Sequence, residues 1–242
     1  MTTPTTTHPD WPVQLTLPGQ AAAPDGPVDM QMMYVMHHAF RRDLAAFAAV
    51  VPRTPVADTA TWRALADRWA VFADALHHHH AGEDTWLWPA LLERADDEER
   101  VTLLAMEAEH EDIDPLLEAS AAGFARLAAG AGEDVRAALA VRLVAARESL
   151  GRHLAHEETD AITLIQQVMT DAEWRQLETD YFKSQPIPPK SVLMMLPWMF
   201  DKLPSPVRER RLATAPRLQG LVYRLFRGSF QRTERRTFRY AA

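Results

Sequence analysis

From Asp29 to about Met169 the apolar positions recur at helical spacing in four separate stretches. The first sets Met33, His37, Phe40, Leu44, Phe47 and Val51 on one stripe and stops at Pro52 and Pro55. The second follows Asp58 with Trp62, Leu65, Trp69, Phe72, Leu76, His79, Glu83 and Trp86, and Pro89 bends or ends it. The third, from about Asp97, carries Leu103, Met106, His110, Ile113, Leu117, Phe124 and Leu127; a kink is expected at Pro115 and a stop at Gly130 and Gly132. The fourth, from about Glu133, carries Leu139, Leu143, Ala146, Leu150, His153, Glu157, Leu164 and Val168. Four amphipathic helices with short connections predict an all-α fold, an up-down-up-down four-helix bundle.

The flanks read differently. Residues 1–28 hold six of the seventeen prolines and predict an extended or disordered arm, with the segment from Trp11 to Leu15 laid on the body. Thr170-Asp-Ala-Glu173 is a capping box that opens a short fifth helix to about Phe182. Ser184 to Pro189 reads as a linker, followed by an apolar stretch, Val192 to Phe200, and a basic helix-like stretch from Arg217 to Arg227. The organisation expected is an arm (1–28), a bundle with a short fifth helix (29–183) and a basic helical extension (184–242).

Charge sharpens that division. The segment Lys202–Ala242 has eleven Lys and Arg against Glu209 and Glu234, a local +9, which leaves −16 on the rest of a chain whose total is −7. Such an extension suits a strap across the acidic bundle; its basic amphipathic pattern also suits an anionic membrane surface. Nucleic acid is not expected as a partner, because no recognised motif accompanies the charge and the pI is 5.8. The absence of cysteine excludes disulfides, thiolate nucleophiles, iron–sulfur clusters and cysteine-ligated zinc. No apolar run reaches the roughly 18 residues of a membrane-spanning helix, and the N-terminal stretch lacks the basic and apolar regions of a secretory signal. A cytoplasmic location is expected. The oligomeric state is left open.

The chemistry lies on the four seams. Each apolar stripe is interrupted by histidine and two also by glutamate: His37, then His79 and Glu83, then His110, then His153 and Glu157. A lone histidine on such a stripe is ordinarily a satisfied core residue, but a buried ionisable group costs several kcal/mol unless paired or metal-bound, and here the cost recurs in all four helices. In an antiparallel bundle the six residues fall at one depth, roughly 10–20 Å from one end at the helical rise. His79/Glu83 and His153/Glu157 are both i, i+4 pairs on one helix face. Two carboxylates can bridge two ions while each ion takes two imidazoles. Nitrogen and oxygen donors without sulfur suit iron or manganese, and also zinc; dioxygen chemistry favours iron. Off the seam, His38 shares a side with Arg41, Arg42 and Ala45, His156 reads as a surface group, and His80 as solvent-facing or hydrogen-bonding, with the metal edge within its reach. Glu107, Glu109 and Asp114 are candidates to orient an imidazole N–H, while Tyr34 and Trp86 read as core packing.

The ordered motifs His37-His-Ala-Phe-Arg-Arg-Asp-Leu44, His79-His-Ala-Gly-Glu83-Asp-Thr-Trp-Leu-Trp-Pro89, Glu109-His110 and His153-Leu-Ala-His-Glu157-Glu158 resemble the hemerythrin-like (HHE cation-binding) family over roughly residues 29–169. The resemblance implies a non-haem di-iron centre inside a four-helix bundle and reaction with dioxygen, peroxide or nitric oxide. The chain departs from the family's oxygen carriers, which place two histidines four apart on the third helix. Here His110 stands alone, flanked by Met106 and Asp114, and Glu157 at i+4 replaces an aspartate at i+5. Four seam imidazoles instead of five leave more open metal positions, so the expectation is an oxidoreductase rather than a reversible carrier. The alternatives are a non-catalytic oxygen or iron sensor or storage protein, and a mononuclear zinc enzyme of the DinB type, against which the two HxxxE pairs argue.

Overall fold

The computed structural model describes residues 8–184 and 189–241, so most of the expected linker lies outside the described residues. No strand occurs among the described residues. The first bundle helix is α1 (Gln31–Val50), and α2 (Thr59–Gly82) starts where the Asp58 side chain accepts the Thr61 N–H. The third, α4 (Asp97–Ala128), opens with a capping box between Asp96 and Glu99 and runs unbroken through Pro115. It ends at Gly130, whose φ of +96° lies in the left-handed region that glycine tolerates best. The fourth, α5 (Glu133–His156), starts three residues later.

Two helices do not keep a uniform period along their length. α2 passes through a wide π-turn, Glu83–Leu87, into α3 (Trp88–Leu92), and α5 passes through another, Glu157–Ala161, into α6 (Ile162–Val168). Each is closed by an N–H donated five residues back, Trp88 to the Glu83 carbonyl and Ile162 to the Glu157 carbonyl. The helix therefore does not end before Pro89; the proline lies directly after the π-turn, at the start of α3, where the regular hydrogen-bond ladder is already interrupted. The extra residue in each turn also rotates the next stretch of helix about its axis. Trp86, expected on the stripe, is only half-buried, and Leu87 and Trp88 take the core face; beyond Glu157, Glu158 is buried as well.

The core is divided in two. One cluster contains Phe40, Phe47, Trp69, Phe72, Leu76, Ile113, Phe124 and Leu150; the other contains Tyr34, Val35, Leu87, Leu103, Met106 and Ala161. All four bundle helices cross from one cluster to the other at His37, at His79 to Glu83, at His110 and at His153 to Glu157. The polar residues fill one slab between two apolar masses.

The arm from residue 8 to 28 is extended and docked. Leu15, Leu17 and Val28 are buried, and the Gln166 amide exchanges two 2.9 Å hydrogen bonds with the Val28 backbone. Helix α7 (Asp171–Ser184) starts with the expected capping box, in which Glu173 accepts the Thr170 N–H at 2.8 Å and donates its own N–H to the Thr170 hydroxyl at 3.3 Å. The extension folds as α8 (Pro189–Met199), α9 (Ser205–Thr214) and α10 (Arg217–Thr237), with α8 and α10 packed together, α8 against α1 and α10 against α2. Polar pins fix it. Asp43 accepts from Trp198 Nε1 at 2.7 Å and from Arg68 Nη2 at 2.6 Å, and Arg68 Nε reaches Glu234 at 2.7 Å. Burial opposes the Asp43 charge, yet Arg42, Arg68 and the Trp198 N–H hold its carboxyl below the usual range. Among the described residues no helix is long and apolar enough to cross a membrane.

Candidate metal centre

Among the described residues two sets of donor atoms converge in the slab. His37, His79, Glu83 and Glu157 form one; His80, His110 and His153 form the other. The six residues expected from the seam are thus divided four and two, and His80 joins the smaller set. Its expected solvent-facing role is corrected: it is 4 % exposed, with its ring stacked on His110 at 3.9 Å and 9°. The reason is local. Residues 79 and 80 lie about 100° apart around α2, and that helix turns one side to α4 and another to α1, so neighbouring positions are both covered. The imidazole count rises from four to five.

Glu83 stands between the sets. Its Oε1 lies 3.1 Å from His79 Nε2, and its Oε2 lies 3.5 Å from His110 Nε2. In the first set His37 Nε2 lies 3.1 Å from Glu157 Oε2; in the second, His110 Nε2 and His153 Nε2 approach to 3.1 Å. Both π-turns begin at these glutamates. At Glu157 the widened turn brings the carboxylate and the residue after it inward together.

The outer ring nitrogens are held by carboxylates. His37 Nδ1 pairs with Glu158 at 2.9 Å, His110 Nδ1 with Asp84 at 2.8 Å, and His153 Nδ1 with Glu109 at 2.9 Å. A neutral ring that donates outward from Nδ1 leaves Nε2 to face a metal, the arrangement metal-binding histidines need. Of the orienting residues expected, Glu109 serves His153 and His156 rather than His110, while Glu107 and Asp114 are exposed. Asp84 and Glu158 escape a reading of the sequence because each acts across a helix interface, which spacing along one helix does not reveal. Glu158 is also gripped by Arg41 at 2.6 and 2.9 Å and accepts the arm's Ala21 N–H at 2.7 Å.

The electrostatics are those of a site short of positive charge. Burial works against a charged His37, but Glu157 and Glu158 hold its pKa up at about 9. Burial pushes the Glu83 carboxyl up, and the neighbouring Glu157 adds to this; burial also opposes the Glu157 charge, but His37, His79 and His153 together pull that carboxyl down. His79 is driven down to about 3 by burial and adjacent imidazoles, and burial lowers His80 as well. His37 Nε2, His79 Nε2, both nitrogens of His80 and both oxygens of Glu83 and Glu157 have no hydrogen-bond partner of proper geometry among the described residues. Leaving such groups buried and unsatisfied costs about 1–3 kcal/mol each. Cations would satisfy the inward atoms, one nitrogen of each ring and the carboxylate oxygens, so the residues present fit a metal.

Residues 29–165 match the family model of the hemerythrin HHE cation binding domain. The chain belongs to this family. No curated protein and no solved structure shows a significant match. All seven inward donors lie inside the hemerythrin HHE region, whereas α7 to α10 lie beyond it. Of the two positions one turn from His110 on the third helix, Met106 is buried in the apolar cluster and Asp114 is exposed.

Proposed function

We propose that the bundle holds two non-haem iron ions and acts on dioxygen, peroxide or nitric oxide as a redox or detoxifying protein. The carrying observation is the placement of Glu83, one carboxylate oxygen toward each donor set. His37, His79, Glu83 and Glu157 would hold one ion; His80, His110 and His153, with the second oxygen of Glu83, would hold the other. Iron supplies Lewis acidity and electrons when bound.

The chain's own residues do the rest. Glu158, Asp84 and Glu109 orient the rings of His37, His110 and His153, so these three donors are positioned before metal arrives. The two apolar clusters above and below the slab limit water. The sets are unequal, with two imidazoles in one and three in the other. Counting Glu83 in both, each ion would have four residue donors and would keep coordination positions for water or a small oxidant. With five imidazoles in total, the single histidine of the third helix does not by itself exclude oxygen carriage; the redox reading rests instead on these open positions beside a shared Glu83.

A second reading has its own support. Three imidazoles without a carboxylate of their own, His80, His110 and His153, are also a zinc donor set. Elemental analysis and a visible spectrum of tag-free protein from iron-replete cells test both. About two irons per chain, with ferric charge-transfer absorption that responds to peroxide or nitric oxide, is the expected result. Zinc at the same stoichiometry without iron overturns the iron reading, and a long-lived reversible dioxygen adduct turns it toward carriage.

A further inference from the structure

Helix α10 has two working faces, and the bundle uses only one. Tyr223, Phe230 and Thr237 are buried; the Tyr223 ring meets Phe200 edge-on at 5.8 Å, and Glu234 is held by Arg68. On the opposite side Leu218, Leu221 and Leu225 follow one another at three- and four-residue spacing and are 70, 53 and 65 % exposed. Phe226 is exposed at the margin of this row. Arg232 and Arg236 continue the same line farther along the helix, with Arg217, Arg224 and Arg235 on its flank, all exposed. Glu234 is the one acidic residue of α10, and it is turned inward. The outward face is therefore leucine and arginine with no negative charge.

We propose that this face of α10 seats the protein on an anionic lipid surface. The two halves of the pattern ask for different things in one place: the leucines need an apolar medium, and the arginines need phosphate or carboxylate. An anionic bilayer interface supplies both at the depth that a surface helix reaches. A second copy of the same face would set arginine against arginine. A nucleic acid would neutralise the arginines and leave the leucine row in water. The acidic bundle already has its contact, through Arg68 and Glu234 and the aromatic residues of the inward face. The helix need not leave the body to bind, because the two roles fall on opposite sides.

Flotation of the purified full chain with phosphatidylcholine vesicles, with and without phosphatidylserine, tests the proposal. The expected result is binding only where phosphatidylserine is present, weakened by added salt. Arg224→Gln and Arg232→Gln should each weaken it by about five-fold. Leu221→Ser with Leu225→Ser should weaken it by about ten-fold or more. All four side chains are solvent-exposed, so helical content, thermal unfolding and bound metal should stay as in the unmodified chain. No flotation, or equal flotation with both vesicle types, overturns the proposal. So does a leucine-dependent dimer in sedimentation without flotation, which assigns the face to a second copy, or salt-sensitive capture by nucleic acid without flotation.

Discussion

The His80 ring lies flat on the His110 ring, 3.9 Å between centroids and 9° between planes. Adjacent in sequence to His79, His80 turns to the other donor set, so one helical step of α2 serves both halves of the centre. It adds a third imidazole to the set of His110 and His153. His80→Ala should therefore reduce bound iron from about two to about one per chain, while His77→Ala, an exposed change, leaves it unaltered. Met106→His, one turn from His110 on the same helix, should restore iron to the His80→Ala protein. Elemental analysis of the four proteins decides; full iron in His80→Ala removes His80 from the centre.

Glu83 faces both sets and Glu157 only the first, so their losses should differ. Glu83→Ala should strip both ions, and Glu157→Ala chiefly the His37/His79 ion. His78→Ala, on an exposed side chain, is the proper control. His156→Ala is not neutral, because His156 helps hold Glu109 against His153. Equal metal losses in the two glutamate variants would show that both carboxylates serve both ions.

Glu158 acts through His37. Replacing it with Ala frees the His37 tautomer, leaves Arg41 without its partner and releases the arm at Ala21. Iron affinity, measured by chelator competition, should fall roughly 10- to 100-fold. Deleting residues 1–22 instead removes the Ala21 contact and keeps the imidazole–carboxylate pair, so its effect on affinity should be the smaller of the two. The reverse order would place the arm, rather than the pair, in control of His37.

Asp43 gives a pH signature away from the metal. Its pKa is depressed in the fold by Arg42, Arg68 and the Trp198 N–H, so its contribution to stability is fully present above the unfolded value of about 3.9 and is lost as pH falls toward the folded value. Asp43→Asn should cost about 3 kcal/mol at neutral pH, since Arg68 and Arg42 lose a buried partner. The gap in unfolding free energy between the two proteins should stay constant down to about pH 4 and close below it. A gap that widens in acid contradicts the assignment.

The bundle helices, their capping signals and the six polar seam residues are legible along the chain because they obey local rules: a period near 3.6, proline and glycine punctuation, and the rarity of charged residues on an apolar stripe. Contacts that cross between helices obey no such rule and depend on packing. The π-turns at Glu83 and Glu157 break the period, which is why Leu87 and Trp88 rather than Trp86 take the core face and why Glu158 comes inward beside Glu157. His80 joins the inward cluster because two helices cover neighbouring sides of α2, which no single stripe encodes. The pairing of Asp84 with His110 and of Glu109 with His153 depends on the relative height of separate helices. The two faces of α10 are likewise legible as a basic amphipathic pattern, but which face meets the bundle depends on where Arg68 and Asp43 stand.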